Sequence, residues 1–291
     1  MLRTPIVADQ FYPGAGGPCL KSLRDCLQPS RTRVATPAVP VGGICPHAGW
    51  MCSGRVAGRV YSVLGRVPVD TVVLFGAVHR AAITRAAVFD AGQWQTPLGT
   101  IEADQVLAVE LLKGCRHCAA NPEAHQTEHS IEVQMPFVKH EFPSARMLAV
   151  MVPPTDLAVQ VGSAVADAAR RAGRRIVVVG TTDLTHYGPG YGFVPHGRGA
   201  EGIAWAKKIN DRRFIELMLR LDARSVVEEA ATHRNACGAG AVAATISACR
   251  ALGADRAVLL EHVTSRDVLG AASGDNAVGY AAVVLGTDQM N

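Results

Sequence analysis

Near-continuous apolar runs, rich in Val, Ile and Leu, recur along this chain and constrain its fold more than any other feature. The runs cover residues 39–45, 71–78, 146–152, 176–181, 257–264 and 277–285. Runs of this kind are typical of strands that are buried on both faces of a sheet. Helical periodicity separates them at residues 53–64, 103–112, 130–140, 156–172, 202–219 and 238–252. The alternation predicts an α/β fold in which a central, mostly parallel or mixed sheet is flanked by helices on both faces.

The length and composition fit one globular domain that covers residues 1–291, because no repeat or low-complexity linker interrupts the alternation. The formal net charge of +4 is spread over scattered arginines. The sequence therefore lacks the basic cluster that nucleic-acid binding needs. The chain does not start with a basic region and a long apolar core, and no stretch is apolar for long enough to span a bilayer. We expect a cytoplasmic protein that binds neither nucleic acid nor membrane.

The chain contains eight cysteines, which we interpret as free thiols because no export signal accompanies them. Two of them, Cys115 and Cys118, have the C-x-x-C spacing of redox and metal motifs. The pair follows a helical pattern, and no second C-x-x-C completes a zinc ribbon. Small buried core residues are the alternative interpretation of this pair.

Three histidines stand where a predicted strand gives way to a loop, which is where open α/β sheets place ligands and chemistry. They are His47, His79 and His186. Cys237 precedes a predicted Ala-rich helix, and we expect the positive end of that helix to lower the pKa of the thiol. Two imidazoles and one thiolate leave open positions on a metal such as Fe(II), and the thiolate also suits copper or zinc.

Other residues near these positions are candidates for supporting roles. Asp183, three residues before His186, would accept the second N–H of an imidazole or else cap a turn. His129 and Glu132 would lie one helical turn apart and face one pocket, where His129 would contact substrate or transfer a proton. The alternative for Glu132 is a capping-box role at the helix start. Trp50, Tyr187 and Tyr191 would line the pocket or pack under loops.

A competing motif is His125-Gln126-Thr127-Glu128-His129, which matches the H-x-x-E-H signature of a zinc hydrolase. That signature needs both histidines on one continuous helix. The upstream Asn121-Pro122 and the helix start expected near Ser130 argue that His125 does not join this helix.

Six motifs, taken together, resemble the Memo family along nearly the whole chain. They are Pro46-His47-Ala48-Gly49-Trp50, Gly76-Ala77-Val78-His79, His129-Ser130-Ile131-Glu132-Val133-Gln134-Met135-Pro136-Phe137, Asp183-Leu184-Thr185-His186-Tyr187-Gly188, Cys237-Gly238 and Val278-Gly279-Tyr280-Ala281-Ala282. Prokaryotic members are named AmmeMemoRadiSam system protein B, after an association with an AMMECR1-like protein and a radical-SAM protein, and both are partners that the resemblance implies here. Where the family often has Pro-Ser before the second histidine and another His after it, this chain reads Ala77-Val78-His79-Arg80.

The resemblance implies a fold related to the class III extradiol dioxygenases, which are non-heme Fe(II) enzymes. It also implies that His47, His79 and Cys237 are metal ligands and that His186 lies beside the metal as an acid or base. Two functions remain open. The first is a non-heme iron or copper redox site with dioxygenase-type chemistry on a small molecule. The second is a module that binds a peptide or protein and whose metal is structural or redox-sensing. Among soluble oligomers the homodimer is the commonest state.

Overall fold

The computed structural model describes residues 1–28 and 34–289, and its main feature is a mixed sheet of nine strands. The twelve strands of the two sheets are β1 Leu2–Arg3, β2 Val39–Cys45, β3 Thr71–Gly76, β4 Ala86–Phe89, β5 Gln93–Thr96, β6 Gly99–Glu102, β7 Cys118–Ala120, β8 Arg146–Met151, β9 Ile176–Thr181, β10 His186–Tyr187, β11 Arg256–Thr264 and β12 Ala277–Thr287. The α-helices are α1 Gly16–Cys26, α2 Trp50–Leu64, α3 Gln105–Gly114, α4 Met135–Glu141, α5 Leu157–Ala172, α6 Ala200–Trp205, α7 Asp211–Leu219, α8 Val226–His233, α9 Ala239–Ala251 and α10 Ser265–Leu269.

The large sheet has the strand order β10-β12-β2-β9-β3-β8-β4-β7, and β11 also pairs with β12. Its centre is parallel, because β2, β9, β3 and β8 all run in one direction. On one side β12 is antiparallel to β2, and on the other β4 is antiparallel to β8. The sheet is therefore mixed, with a parallel centre.

Helices cover both faces of this sheet. Along β3, Val73 and Phe75 pack into a cluster that includes apolar residues of α5 and α9. Their neighbours Val72 and Leu74 pack on the opposite face, in a cluster with residues of α1, α2 and α4. Successive side chains of a strand point to opposite faces, so a strand that is apolar throughout must be covered on both. The predicted fold class is confirmed.

All six apolar runs form strands in the large sheet, with ends within two residues of the predicted ones. Two predicted helices differ from the structure. The segment 130–140 starts with a 3-10 turn, Glu132–Gln134, before α4 begins. The segment 202–219 consists of α6 and α7 joined by a π-helical stretch, Ala206–Asn210. Helices α1, α8 and α10 were not predicted. The strands β1, β4, β5, β6, β7 and β10 were not predicted either, because each has only two to four residues.

Three strands, β1, β5 and β6, form a second, small sheet. Strand β1 pairs with β5 in parallel, which brings the start of the chain beside Trp94. The side chain of Arg3 in β1 is fully buried and lies over the Trp94 ring. Among the described helices, none combines the length and the apolar character that crossing a membrane requires.

Candidate metal centre

Strand order explains why His47 and His79 meet. His47 follows β2 by two residues, and His79 follows β3 by three. Strand β9 lies between β2 and β3 and is parallel to both, so the carboxyl ends of all three strands reach the same edge of the sheet. Open α/β sheets bind ligands at this edge.

Cys237 reaches the same edge from the loop before α9. Its backbone N–H donates to the carbonyl of Asp183 at 3.2 Å, and the N–H of Gly238 donates to Oγ1 of Thr182 at 2.9 Å. These bonds hold the loop before α9 against the loop after β9. The Cys237 Sγ atom lies 3.2 Å from Nε2 of His47. Ligand atoms of His47, His79 and Cys237 all lie within 4.8 Å of one another.

The His47 imidazole is fixed by its second ring nitrogen. Its Nδ1 atom lies 3.0 Å from Oγ1 of Thr181, the last residue of β9. The side chain is almost completely buried. Burial, together with the neighbouring imidazoles of His79 and His129, lowers the pKa of His47 well below its usual value. The imidazole is therefore neutral at neutral pH, which is the form that binds metals.

The His79 imidazole is fixed by a buried carboxylate, that of Glu128. The Nδ1 atom of His79 lies 2.8 Å from Oε1 of Glu128, while the backbone N–H groups of His79 and Ser130 donate to the same carboxylate. Burial opposes the charge of Glu128, but these hydrogen bonds and the charge of His79 outweigh it and lower the pKa of the carboxyl. A carboxylate only accepts hydrogen bonds, so Nδ1 of His79 carries a proton, and in the neutral ring Nε2 keeps a free lone pair.

The position of Glu128 was missed by sequence reasoning. Glu128 entered only as the glutamate of the H-x-x-E-H motif, and the sequence separation of 49 residues from His79 gave no sign of the contact. Metal-ligating histidines commonly donate their second N–H to a carboxylate. Because the burial of Glu128 is seen only in the structure, the sequence contained no signal that could have paired it with His79.

His129 lies beside both ligand histidines. Its ring stacks on that of His79, with centroids 4.7 Å apart, and meets that of His47 edge-on at 5.5 Å. The Phe11 ring covers another edge at 5.1 Å. Burial and the nearby His79 lower the pKa of His129. Ligand atoms of His79, Glu128 and His129 form a second group within 4.8 Å, which shares His79 with the first.

His186 lies next to the centre but outside both ligand groups. Its Nδ1 atom donates to the carbonyl of Leu184 at 3.0 Å, because a carbonyl can only accept, and Nε2 is therefore unprotonated in the neutral ring. The Tyr191 ring meets the imidazole edge-on at 5.1 Å. A charge on His186 affects the pKa of both His47 and Asp183. The residue is close enough to act on the centre without being part of the three-ligand group.

Asp183 holds the backbone of a ligand loop instead of an imidazole. Its Oδ1 atom accepts from the N–H groups of His47 and Ala48, at 2.9 and 3.2 Å. Of the two predicted roles, orienting an imidazole or capping a turn, Asp183 does not have the first for His186, whose Nδ1 lies against the carbonyl of Leu184. Burial raises the pKa of Asp183, and the His186 charge and the two N–H groups counteract that effect. The loop after β9 thus fixes the turn that carries His47.

Glu132 has neither of its two predicted roles. Its carboxylate is completely buried and pairs with Arg3, and it also accepts a hydrogen bond from the Tyr12 hydroxyl at 2.9 Å. Residues three apart share a face only within a helix, but the helical segment begins at Glu132 itself. His129 and Glu132 therefore point to different places, and Glu132 serves the amino-terminal segment.

Two of the three aromatic candidates pack under loops. The Trp50 indole N–H donates to the carbonyl of Val133 at 3.2 Å, and the ring is buried against neighbouring aromatic side chains. Tyr187 is fully buried and its hydroxyl donates to the carbonyl of Gly197 at 2.7 Å. Tyr191 is the aromatic residue that remains partly exposed next to His186.

The H-x-x-E-H motif does not assemble as a zinc-hydrolase site. The 3-10 turn that contains His125 ends at Thr127, and the following Glu128 has extended backbone. His125 is fully buried between aromatic rings and its Nε2 atom lies 3.0 Å from the carbonyl of Ala87. It belongs to neither ligand group. The two histidines of the motif therefore point to different parts of the protein.

The expected effect of α9 on Cys237 is overturned. Burial raises the pKa of the thiol, and the charge of Asp183 adds to the effect, while hydrogen bonds at the loop counteract it only in part. The helix begins two residues later, at Ala239, so its positive end does not compensate for the loss of water around the sulfur. The unliganded Cys237 is a protonated thiol.

Comparison with known proteins gives a full-length match. A family model described as Memo-like protein matches residues 3–284. A MEMO1 family protein of Pyrococcus abyssi is 36% identical over 297 aligned residues, which cover 98% of this chain and 99% of the relative. The corresponding protein of Methanopyrus kandleri is 37% identical with the same coverage. An uncharacterized protein of Escherichia coli K12 shares the fold, with a TM-score of 0.52 and 13% identity over 85% of this chain and 100% of its own.

Proposed function

The chain belongs to the Memo family, and from that premise we propose that His47, His79 and Cys237 together bind one redox-active metal ion, iron(II) or copper. The proposal is carried by one observation, the convergence of three donor atoms within 4.8 Å. Ligand atoms that share an ion at about 2.0–2.3 Å lie within about 4.6 Å of one another. The donor atoms therefore need to move only slightly to share an ion.

The chemistry of the donors fits such an ion. Hydrogen bonds hold Nδ1 of His47 to Thr181 and Nδ1 of His79 to Glu128, so each ring has Nε2 available as the ligand atom. The Cys237 thiol binds metals after it loses its proton. Imidazole suits iron, copper and zinc, and a thiolate adds affinity for copper and zinc, which makes zinc the third candidate.

When bound, the metal supplies Lewis acidity and electron transfer at the positions that the three ligands leave open. His129 lies against the rings of His47 and His79, and His186 lies next to the group, so both are candidate catalytic residues that would hold or move a proton. Nε2 of His186 accepts a proton while Nδ1 stays bound to Leu184. The stacked ring of His129 offers a second acceptor beside His79. A small molecule, or a peptide that presents a reactive group, is the substrate class that we propose.

Metal content after anaerobic loading with iron(II) or copper(I) tests the proposal. We expect one equivalent per chain in the wild type and loss of the metal in Cys237→Ala. Cys52→Ala is the matched control, because Cys52 is another half-buried thiol but belongs to neither ligand group. Loss of metal in both variants, or in neither, would contradict the assignment of Cys237.

The alternative function is a protein-binding module. In a redox site the metal would keep an open coordination position, whereas in such a module the protein would occupy all of its positions. A structural metal site is closed by four protein ligands, whereas a catalytic site keeps one position open. Nitric oxide added to the iron(II)-loaded protein distinguishes the two by electron paramagnetic resonance. A new signal supports a site that is open to small molecules. Its absence, with iron still bound, supports the partner-binding module.

A further inference from the structure

The segment Cys115-Arg116-His117-Cys118 connects α3 to β7 and takes no part in the metal centre. The backbone N–H of Cys118 donates to the carbonyl of Cys115 at 3.1 Å, which closes a β-turn. Such a turn brings the Cα atoms of its first and fourth residues within about 7 Å. Disulfides span Cα separations of about 4.4–6.8 Å. The turn therefore already brings the two Cα atoms to a separation that is compatible with a disulfide between these cysteines.

The two thiols have unequal acidity. The neighbouring Cys118 thiol, together with the backbone and charge of His117, lowers the pKa of Cys115 to about 6 against the effect of burial. The neighbouring Cys115, together with burial, raises the pKa of Cys118. A thiolate is the attacking species in thiol–disulfide exchange. Cys115 also lines a groove, whereas Cys118 does not. Cys115 is therefore the nucleophile of the pair, and Cys118 is the thiol that resolves the mixed disulfide.

A groove of about 530 Å³ reaches Cys115. Its lining includes Cys115, His117 and the cations Lys113, Arg116 and Arg171, together with one carboxylate, Asp167, which pairs with Arg170 outside the lining. Lys113 and Arg171 both pair with Glu110, whereas Arg116 has no carboxylate within ion-pair distance among the described residues. This cluster of cationic side chains suits a ligand that carries carboxylates.

We propose that Cys115 and Cys118 form a redox-active dithiol that a low-molecular-weight disulfide with carboxylate groups, bound in this groove, oxidises to an intramolecular disulfide. The Cys115 thiolate attacks one sulfur of the external disulfide, forms a mixed disulfide and releases one thiolate. Cys118 then loses its proton and attacks the Cys115 sulfur, and the second external thiolate leaves. Two protein thiols are oxidised and one external disulfide is reduced to two thiols.

Oxidised glutathione, a disulfide of this class, tests the proposal on the folded full-length chain. After incubation, free thiols are blocked with iodoacetamide and the peptide that contains residues 115–118 is identified by mass spectrometry. We expect the wild-type peptide to lose two hydrogens, and reduced glutathione to reverse the change. In Cys118→Ser the reaction should stop with one glutathione on Cys115, and in Cys115→Ser no intramolecular disulfide should form.

Cys52→Ser is the control, because it removes a half-buried thiol in α2 and should leave the reaction of the pair unchanged. Circular dichroism establishes that each variant is folded. A second measurement needs no variant: iodoacetamide should label Cys115 faster than Cys118 in the folded wild type near neutral pH. A pair that stays reduced while Cys52 takes up glutathione would overturn the proposal. Faster labelling of Cys118 would overturn the assignment of the nucleophile.

Discussion

The Arg3 guanidinium and the Glu132 carboxylate form an ion pair in which neither side chain has any exposure to solvent. The same carboxylate accepts hydrogen bonds from the backbone N–H groups of Ile6 and Val7 and from the hydroxyl of Tyr12. Both carboxylate oxygens of Glu132 are therefore used by the amino-terminal segment. The pair fixes that segment to the start of the helical region before α4.

Replacing Glu132 by Gln should strongly destabilise the protein. The substitution leaves the buried guanidinium of Arg3 without its counter-charge, and breaking a buried pair in this way costs about 3–5 kcal/mol. Arg3 also donates to the backbone carbonyls of His125 and Glu128, so metal binding should weaken as this segment loosens. Chemical denaturation of the metal-free protein gives the free energy of unfolding and so measures the loss of stability.

The control is Asp25→Gln, because Asp25 pairs with Lys21 on the surface, where the side chains are 65% and 82% exposed. Exposed pairs contribute about 0–1 kcal/mol. Equal losses in the two variants would show that burial of the Arg3–Glu132 pair has no special effect.

Replacing Glu128 by Gln should weaken metal binding while the three ligands stay in place. The carboxylate fixes the His79 ring and the proton on Nδ1, and loss of such a partner costs about 10–100-fold in metal affinity. Competition with a chelator of known affinity measures the dissociation constant. Glu123→Gln, in an exposed position five residues upstream, should leave the constant unchanged. An unaltered affinity in Glu128→Gln would remove Glu128 from the centre.

Replacing His186 by Ala should leave the metal content unchanged, because His186 lies outside the three-ligand group. His79→Ala, in contrast, removes a ligand and should lose the metal. Metal analysis of both variants after identical loading compares them directly. Loss of metal in His186→Ala would make His186 a fourth ligand and would favour a closed, structural site.

The sequence predicts the centre of the fold and the two histidines His47 and His79 of the candidate site for one physical reason, whereas the choice of Cys237 as the third proposed ligand comes from the family resemblance. Strands that are buried on both faces are apolar throughout, and polar side chains that follow them stand out, as His47 and His79 do. This pattern does not determine the order of the strands in the sheet. That order depends on crossover connections, so the position of β9 between β2 and β3 emerges only from the structure.

Contacts between distant residues could not be predicted in the same way. Arg3 and Glu132 are 129 residues apart, and His79 and Glu128 are 49 apart. A glutamate in a sequence is most often a solvated surface residue, and only its burial against a specific partner assigns it a role. The prediction of a lowered pKa for the Cys237 thiol was wrong for a related reason. The sequence places the thiol near a helix start but does not show how deeply the sulfur is buried.

Asp104 should give the protein a pH-dependent stability that is independent of the metal centre. Its fully buried side chain caps α3 by accepting from the N–H of Leu107, and it also accepts from Thr71 and pairs with Arg174. Burial opposes the charge, but these partners outweigh it and lower the pKa of Asp104.

Because the pKa of Asp104 is lower in the folded state, its stabilising effect is complete above the unfolded value of about 3.9 and disappears as the pH falls through the folded value. Asp104→Asn removes the charge and should cost about 1.5–3 kcal/mol at pH near 7, as expected for hydrogen bonds to a charged group. The difference between wild type and variant should shrink on acidification below about pH 4. Denaturation curves of both metal-free proteins across this pH range show whether the stability difference shrinks or grows on acidification. A difference that grows on acidification would mean that the carboxyl is protonated more readily in the folded protein than in the unfolded chain.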